Sequence, residues 1–193
     1  TLRPEDERLI AAVAAANPRT VVAIEAGSAV ITEAWRHQVP AILMAWYPGQ
    51  EGGRALADVL LGRVNPGGKL PCVFVQDAAH LPYFDRDATE ITYDLWHGYR
   101  KLARDGVQPA FPFGFGLSYT RFALSDLRLS QEALAPGQDL RATVRVTNTG
   151  TRDGDEVVQL YLAAPESSVE RAPFELKAFR RVRVPAGESV EAE

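Results

Sequence analysis

The stretch that most constrains this chain runs from Ala45 to Pro71, AWYPGQEGGRALADVLLGRVNPGGKLP. It joins an apolar run, Ala41-Ile42-Leu43-Met44, to a tight Pro48-Gly49 turn, a short helix, a second Gly/Pro turn and a second apolar run, Leu70 to Val75. Strand, turn, helix, turn, strand is the repeating unit of a parallel α/β sheet. Proline fixes φ and glycine permits the left-handed region, so Pro48-Gly49 reads as a turn. Gln50 and Glu51 then stand at the start of the helix, where a carboxylate meets the positive end of the dipole. Ala55, Leu56, Val59 and Leu60 recur at helical spacing and predict one buried face, with Arg54 and Asp58 on its polar flank. Gly62 ends that helix, and Asn65-Pro66-Gly67-Gly68 returns the chain to the sheet.

This geometry carries a functional implication. In open parallel sheets, ligands bind outside the carboxyl ends of the strands. Trp46, Tyr47, Gln50 and Glu51 leave such an end. Two aromatic rings beside an amide and a carboxylate suit a sugar, whose faces are apolar and whose edges are hydroxyls. The pattern is equally consistent with Trp46 and Tyr47 closing the core beneath the helix, and spacing alone does not separate the two.

The preceding residues carry similar elements. Glu5 to Ala16 reads as a helix with Leu9, Ile10 and Val13 on its apolar face and acidic residues in its first turn; Asn17-Pro18 ends it. Val21 to Ile24 predicts a buried strand, Ile31 to His37 a short helix with Trp35 half-buried, and Val39 to Trp46 the next strand. Such alternation implies a mostly parallel sheet with flanking helices on both faces. Gln76 to Gln108 is aromatic-rich and polar without a steady period, which marks a connector or a functional segment. Ala110 to Gly116, AFPFGFG, reads as a hinge at a domain junction.

From Phe122 onward the period becomes two. Leu140, Ala142, Val144 and Val146 share one face, while Arg141, Thr143 and Arg145 share the other. Asn148-Thr149-Gly150, Asp153-Gly154 and Pro185-Ala186-Gly187 are turn signals between further strands at Glu156 to Leu162 and Phe174 to Val184. Short strands at this spacing imply an all-β sandwich of the immunoglobulin or fibronectin type III kind. The chain supplies four or five such runs by Glu193, where about seven are expected, so this sandwich is expected to be cut short.

Composition excludes several classes. The chain has 193 residues, 46% hydrophobic and 24% charged, the range of ordinary globular proteins. A net charge of −4 leaves no electrostatic footprint for nucleic acid. Pro40 interrupts the apolar stretch from Val39 to Tyr47, and no segment has the length of a membrane-spanning helix. The single cysteine, Cys72, lies in an apolar strand pattern and reads as a small buried hydrophobe. The three histidines, His37, His80 and His97, are scattered, so no metal site is expected. No G-x-G-x-x-G follows a strand, which argues against a nucleotide, and no cofactor is expected. The first residue is Thr1, so the chain is not expected to begin where its gene begins.

Three long motifs, in order, resemble one family: AWYPGQEGGRALADVLLGRVNPGGKLP, then GYRKLARDGVQPAFPFGFGLSYTRF from Gly98 to Phe122, then NTGTRDGDEVVQLYLAAP from Asn148 with APFELKAFRRVRVPAGES after it. Together they resemble glycoside hydrolase family 3, which includes β-glucosidases and β-xylosidases. The resemblance implies that residues 1–110 are the C-terminal part of the family's α/β sandwich domain, 111–120 a linker, and 121–193 a truncated fibronectin type III-like domain. It implies the C-terminal portion of a retaining, exo-acting β-glycosidase acting on a β-linked glucoside or oligosaccharide at its non-reducing end. The implied partner is the remainder of the same enzyme, barrel domain and upstream sandwich segment included.

In that family the nucleophilic aspartate lies in the barrel, and the acid/base glutamate lies upstream of the helix that begins here at Pro4. Retaining glycosidases need two carboxyl groups about 5 Å apart. Glu5, Asp6 and Glu7 read as first-turn helix charges, and Glu25, at a strand end, matches no catalytic position of the family. No catalytic residue is assigned within the chain, and Trp46, Tyr47, Gln50 and Glu51 remain as candidate substrate contacts. Asp94 and Trp96 are expected to pack the connector; Val144, Val158, Leu160 and Tyr161 are expected in the sandwich core. The competing reading is a non-catalytic carbohydrate-binding or structural module.

Overall fold

The structure is a computed structural model that describes residues 1–193. The chain divides into two units, one comprising Thr1–Ala57, Leu70–Phe115 and Ala163–Glu175, the other Asp58–Lys69, Gly116–Leu162 and Leu176–Glu193.

The first unit opens with helix α1, Pro4–Ala16, whose proline sits at the first helical turn and costs no hydrogen bond there. Its first-turn acids have partners: Asp6 accepts from Arg3 at 3.1 Å and Glu5 from Arg8 at 3.4 Å. The buried face differs from the expected one. Ala14 is buried and Ile10 half-buried, whereas Leu9 is 63% exposed and Val13 is also exposed. Ile10 and Ala14 are four residues apart and share a stripe, so α1 meets the core along that stripe alone.

Strands β1 (Val21–Ile24) and β2 (Ala41–Met44) pair in parallel, with Val21 opposite Ala41 and Ile24 opposite Met44. Between them the expected helix at Ile31 to His37 is absent. Thr32 instead accepts from Trp35 and Arg36, and a 3₁₀ turn spans Arg36–Gln38. Glu33 grips the Arg36 guanidinium with both oxygens, at 2.8 and 3.1 Å, which ties the start of the turn to the residues before it. Trp35, expected to be half-buried, is 1% exposed. It forms the core with Ala14, Ile24 and Val39.

Helix α2, Gly52–Leu60, follows β2. Leu56 and Val59 are half-buried, but Ala55 and Leu60 are exposed, so the expected four-residue face is only partly covered. Leu70 to Val75 is not a regular strand either. It runs extended and bonds to Ala110–Phe115: Leu70 N–H donates to Phe115, Gly114 N–H to Leu70, and Phe74 N–H to Phe111. Pro71 cannot donate, which interrupts any longer ladder. Helix α3, Gly98–Asp105, emerges from the segment that sequence left without a period. Gly106 caps it with φ 66°, and its N–H reaches the carbonyls of Ala103 and Leu102. Leu102 joins Val73 and Val75 in a second buried cluster. Cys72 is half-buried, and burial raises its thiol pKa, in keeping with a packing role.

The second unit is built from strands β3 (Phe122–Leu129), β4 (Ala142–Asn148), β5 (Gly154–Leu162), β6 (whose full span is Glu175–Val184) and β7 (Ser189–Ala192). Strands β3, β4 and β7 form one sheet in that order, antiparallel throughout, and β5 pairs with β6 in a second. A bulge between Ser125 and Arg128 interrupts the β3 register; there Asp126 holds a left-handed φ of 54° and pairs with Arg145 at 3.2 Å. Val146, Val184 and Ala192 are buried together, with Phe122, Val144, Val158, Val182 and Val190 packed against them. Leu160 and Tyr161 are half-buried. An apolar cleft of about 840 Å³ stays open among these strands, lined by Leu124, Leu127, Val144, Val158, Leu160 and Phe179 among others; the Phe179 ring is 71% exposed.

Asn148 is 0% exposed and every polar atom of its side chain is used. Its Oδ1 accepts from Thr120 Oγ1 at 2.6 Å and from Gly150 N–H at 3.1 Å, while Nδ2 donates to the carbonyls of Arg152 and Val184 at 2.8 and 2.9 Å. Asn148→Ala would leave those groups buried and unpaired, and is expected to lower stability by about 3 kcal/mol or more. Asn148→Asp should cost a similar amount, because a carboxylate cannot donate to two carbonyls. Urea unfolding of both variants checks this; a loss below about 1 kcal/mol in both would mean that water replaces the side chain readily.

Candidate functional site

The candidate site lies at the carboxyl ends of β1 and β2. The ladder continues one step past the strands, since Ala45 N–H donates to Ile24 at 2.9 Å. Glu25 and Ala26 therefore leave the sheet beside Ala45 and Trp46. Glu25 is exposed there.

Trp46 and Tyr47 are adjacent in sequence but have different surroundings. Trp46 is half-buried, and its ring meets Phe74 edge-on at 6.4 Å and 71°. Phe74 in turn meets Phe111 edge-on at 6.0 Å. Such pairs favour edge-to-face contact because the ring face is electron-rich and the edge electron-poor. Trp46 also holds φ at 55°, in the left-handed region where a bulky residue is rare. Tyr47 instead is 82% exposed. Gln50 and Glu51 are exposed as well, Glu51 immediately before α2 with its carbonyl accepting from Ala55 N–H at 2.9 Å. Trp46 and Tyr47 thus share one strand end with Glu25, and Gln50 and Glu51 follow on the turn into α2.

The turn itself depends on two glycines with different reasons. Gly49 takes φ 70°, which a side chain would strain. Gly52 is buried against Pro48: a Cβ there would lie 2.6 Å from both Pro48 Cβ and Cγ. Gly27, at the end of β1, is similar in kind, since a Cβ on it would lie 2.8 Å from Tyr47 Cε2 and Cζ and collide with the hydroxyl. Spacing in the sequence carries no signal that Gly27 faces an aromatic ring.

The other aromatic segment packs upon itself and against Glu170 and Phe174. Trp96 Nε1 donates to Glu170 at 3.0 Å, the Arg104 guanidinium lies 4.5 Å over the indole, and Asp94 accepts from Trp96 N–H at 2.7 Å. Tyr99 stacks on Phe174 at 5.6 Å. The carboxylate at the end of α3 is also engaged: Arg104 and Lys101 hydrogen-bond Asp105 and hold its pKa below the usual carboxylate range. No group of histidine, cysteine and carboxylate side chains is placed to hold a metal ion, and no helix is long and apolar enough to cross a membrane.

The model of the glycosyl hydrolase family 3 C-terminal domain matches residues 1–119. The chain belongs to glycosyl hydrolase family 3. A second model, of the fibronectin type III-like domain, matches residues 156–193. The chain is similar to "Probable beta-glucosidase I" of Aspergillus fumigatus, 42% identical over 201 residues that take in 100% of this chain and 24% of that protein. The Aspergillus niger protein of the same name is 40% identical over 100% of this chain and 25% of its own length. The chain thus spans about a quarter of the curated relatives it matches. Among solved structures it resembles beta-glucosidase 3B from Thermotoga neapolitana in complex with glucose, with TM-score 0.90 and 39% identity over 99% of this chain and 28% of the other. A family 3 beta-glucosidase from Bifidobacterium adolescentis gives TM-score 0.88 at 36% identity, covering 98% of this chain and 28% of its own.

The packing of this family 3 turn makes a paired prediction. Gly52→Ala should lower stability by about 1–3 kcal/mol, because Pro48 is fixed and the added methyl overpacks a buried contact. Gly53→Ala has open space and should raise stability by about 0.5–1 kcal/mol, through a less flexible unfolded chain and better helix propensity. Thermal unfolding of the two variants side by side decides it; equal effects would mean that Pro48 does not restrain position 52.

Proposed function

We propose that this chain is the C-terminal portion of a retaining, exo-acting β-glucosidase that removes sugars from non-reducing ends. The observation that carries the reading is the agreement of nearly the whole chain with a beta-glucosidase solved with glucose, at TM-score 0.90 and 39% identity. In this reading residues 1–110 are part of the family's α/β sandwich domain, 111–120 a linker, and 121–193 a fibronectin type III-like sandwich. Its substrate is a β-linked glucoside or oligosaccharide, and its partner is the remainder of the same enzyme.

The division of labour follows from chemistry. A retaining mechanism requires a nucleophilic carboxylate and a proton-donating carboxyl group about 5 Å apart across the scissile bond. Asp6 is paired with Arg3, just ahead of α1, and Glu5 with Arg8 on it, while Glu25 and Glu51 lie exposed on a rim. The reading therefore gives the chain no catalytic carboxylate of its own. It supplies instead a rim of substrate contacts, Trp46, Tyr47, Gln50 and Glu51, beside a catalytic pair carried by the rest of the enzyme. Aromatic faces take the apolar side of a pyranose, and amide and carboxylate groups take its hydroxyls.

The test is an assay of residues 1–193 alone and of the longer polypeptide on aryl β-glucosides and on a β-linked disaccharide. The long form is expected to turn over with retention of configuration. The isolated chain should be inactive, because removing an essential group of a cooperating catalytic set costs up to roughly 10⁶-fold in rate. Turnover by residues 1–193 that disappears on substitution of Glu25 or Glu51 would overturn the assignment. Sugar binding by the long form without hydrolysis would favour a non-catalytic binding module.

A further inference from the structure

We propose that Tyr47, rather than Trp46, is the sugar-stacking platform of this rim, and that Gly27 is the positioning residue that sets its ring. The inference rests on the reading of the rim as a substrate-contacting surface and assigns separate roles within it.

Two observations converge on Tyr47. The first is the contrast between the neighbouring rings. Trp46 is spent on packing: its ring is half-buried and engaged edge-on with Phe74, which is itself engaged with Phe111. Tyr47 is 82% exposed, so its ring is available to a ligand in a way the indole is not. The second is that this exposed ring nevertheless has a shaped seat. A Cβ at Gly27 would lie 2.8 Å from Tyr47 Cε2 and Cζ and would collide with the hydroxyl. An exposed tyrosine with no task needs no such clearance, since its ring could swing into solvent. Nor is Gly27 there for its backbone, as it is not among the glycines with positive φ.

The left-handed Trp46 completes the arrangement. Its φ of 55° turns the chain sharply at the end of β2, and the next residue's ring then comes to rest at the end of β1, on Gly27. Backbone strain held by a bulky residue is sustained where the surrounding packing over-determines it, and the Phe74 contact supplies that restraint. Glu25 leaves β1 two residues before Gly27 and is exposed on the same end of the sheet. A pyranose stacked on Tyr47 would thus lie at the strand end that also carries the Glu25 carboxylate.

The geometry makes Gly27→Ala a selective probe. The atoms that an added methyl meets belong to the far end of an exposed ring, so the ring moves and the fold is little disturbed. The experiment compares Gly27→Ala, Tyr47→Ala and the double variant in the longer polypeptide. It measures kcat and KM on an aryl β-glucoside and a β-linked disaccharide, binding of methyl β-D-glucoside by calorimetry, and Tm. Gly27→Ala and Tyr47→Ala should each raise KM and the dissociation constant by roughly three- to tenfold, the worth of one stacking contact, with kcat and Tm little changed. The double variant should be no worse than Tyr47→Ala alone, because Gly27 acts only through the ring. Additive losses, or unchanged KM and affinity in an active enzyme, would overturn the assignment while leaving the β-glucosidase reading intact. A long form that binds the glucoside but does not hydrolyse it, with binding weakened in both variants, would uphold the platform and sink the enzymatic reading. Absence of both binding and hydrolysis would overturn both.

Discussion

The buried carboxamide of Asn148 is the interaction on which the β part depends. A carboxamide offers two acceptor positions and two donors, and here each has a partner. Its partners come from separate places: Thr120 ahead of β3, Gly150 and Arg152 in the loop after β4, and Val184 at the end of β6. The backbone of the same residue adds the turn before β7, donating to Glu188 and accepting from Gly187. One side chain thus joins both sheets at one end of the apolar core made by Val146, Val184 and Ala192. A network of this kind is favourable only when complete, because the low dielectric that strengthens each bond also magnifies the cost of a missing one.

Order spreads outward from that point through tight contacts. A Cβ on Gly154 would lie within 2.9 Å of Thr120 Cγ2 and Phe122 Cζ, and within 2.8 Å of Asn65 Nδ2. Asn65 repeats the logic of Asn148 in a shallower setting: its Oδ1 accepts from Ser118 and from Tyr119 N–H, and its Nδ2 donates to Asp153. Lys69 then closes the segment against Glu156 at 2.9 Å while also donating to the Gly116 carbonyl. Both members of that ion pair are mostly shielded from water, so further hydrogen bonds, Lys69 to Gly116 and Val157 N–H to Glu156, help to offset its desolvation. The Asn-Pro-Gly-Gly-Lys segment is therefore a bracket as well as a turn, and its asparagine and lysine carry the load.

Much of this was readable in the residues, and the unread part has a common cause. Period-two alternation placed β4 and its inward face, because Val144 and Val146 against Arg141 and Arg145 is a strong local pattern. The β-branched run at Val21 to Ile24 was legible as a strand, though only Ile24 of it is buried, and the Pro48-Gly49 turn was equally legible. Helix α3 was missed because its apolar residues, Tyr99 and Leu102, form too thin a stripe among charges; Gly106 was the signal that could have located its end. The helix expected at Ile31 to His37 failed for the opposite reason. Its composition permitted a helix, but Trp35 is buried in the core and the chain around it runs as turns and a short 3₁₀ segment. Asn148 looked like a turn asparagine, and nothing local distinguishes that from a buried hub, whose partners lie up to 36 residues away.

The candidate site shows the same limit in a sharper form. The four rim residues Trp46, Tyr47, Gln50 and Glu51 came from a topological rule that ties ligands to strand ends, and the rule needs only the order of elements. It cannot say which neighbouring ring is packing and which is free, because that depends on Phe74, which lies 28 residues beyond Trp46. Nor can it separate glycines kept for backbone conformation from glycines kept for space. Gly49 belongs to the first kind, with its positive φ and open surroundings. Gly27, Gly52 and Gly154 belong to the second, each pressed against a side chain from elsewhere in the chain or the next turn. The two kinds respond differently to substitution: the first loses its turn, while the second shifts whatever lies against it. Where the neighbour is a locked proline the shift costs stability, and where it is an exposed tyrosine the shift changes what the surface presents.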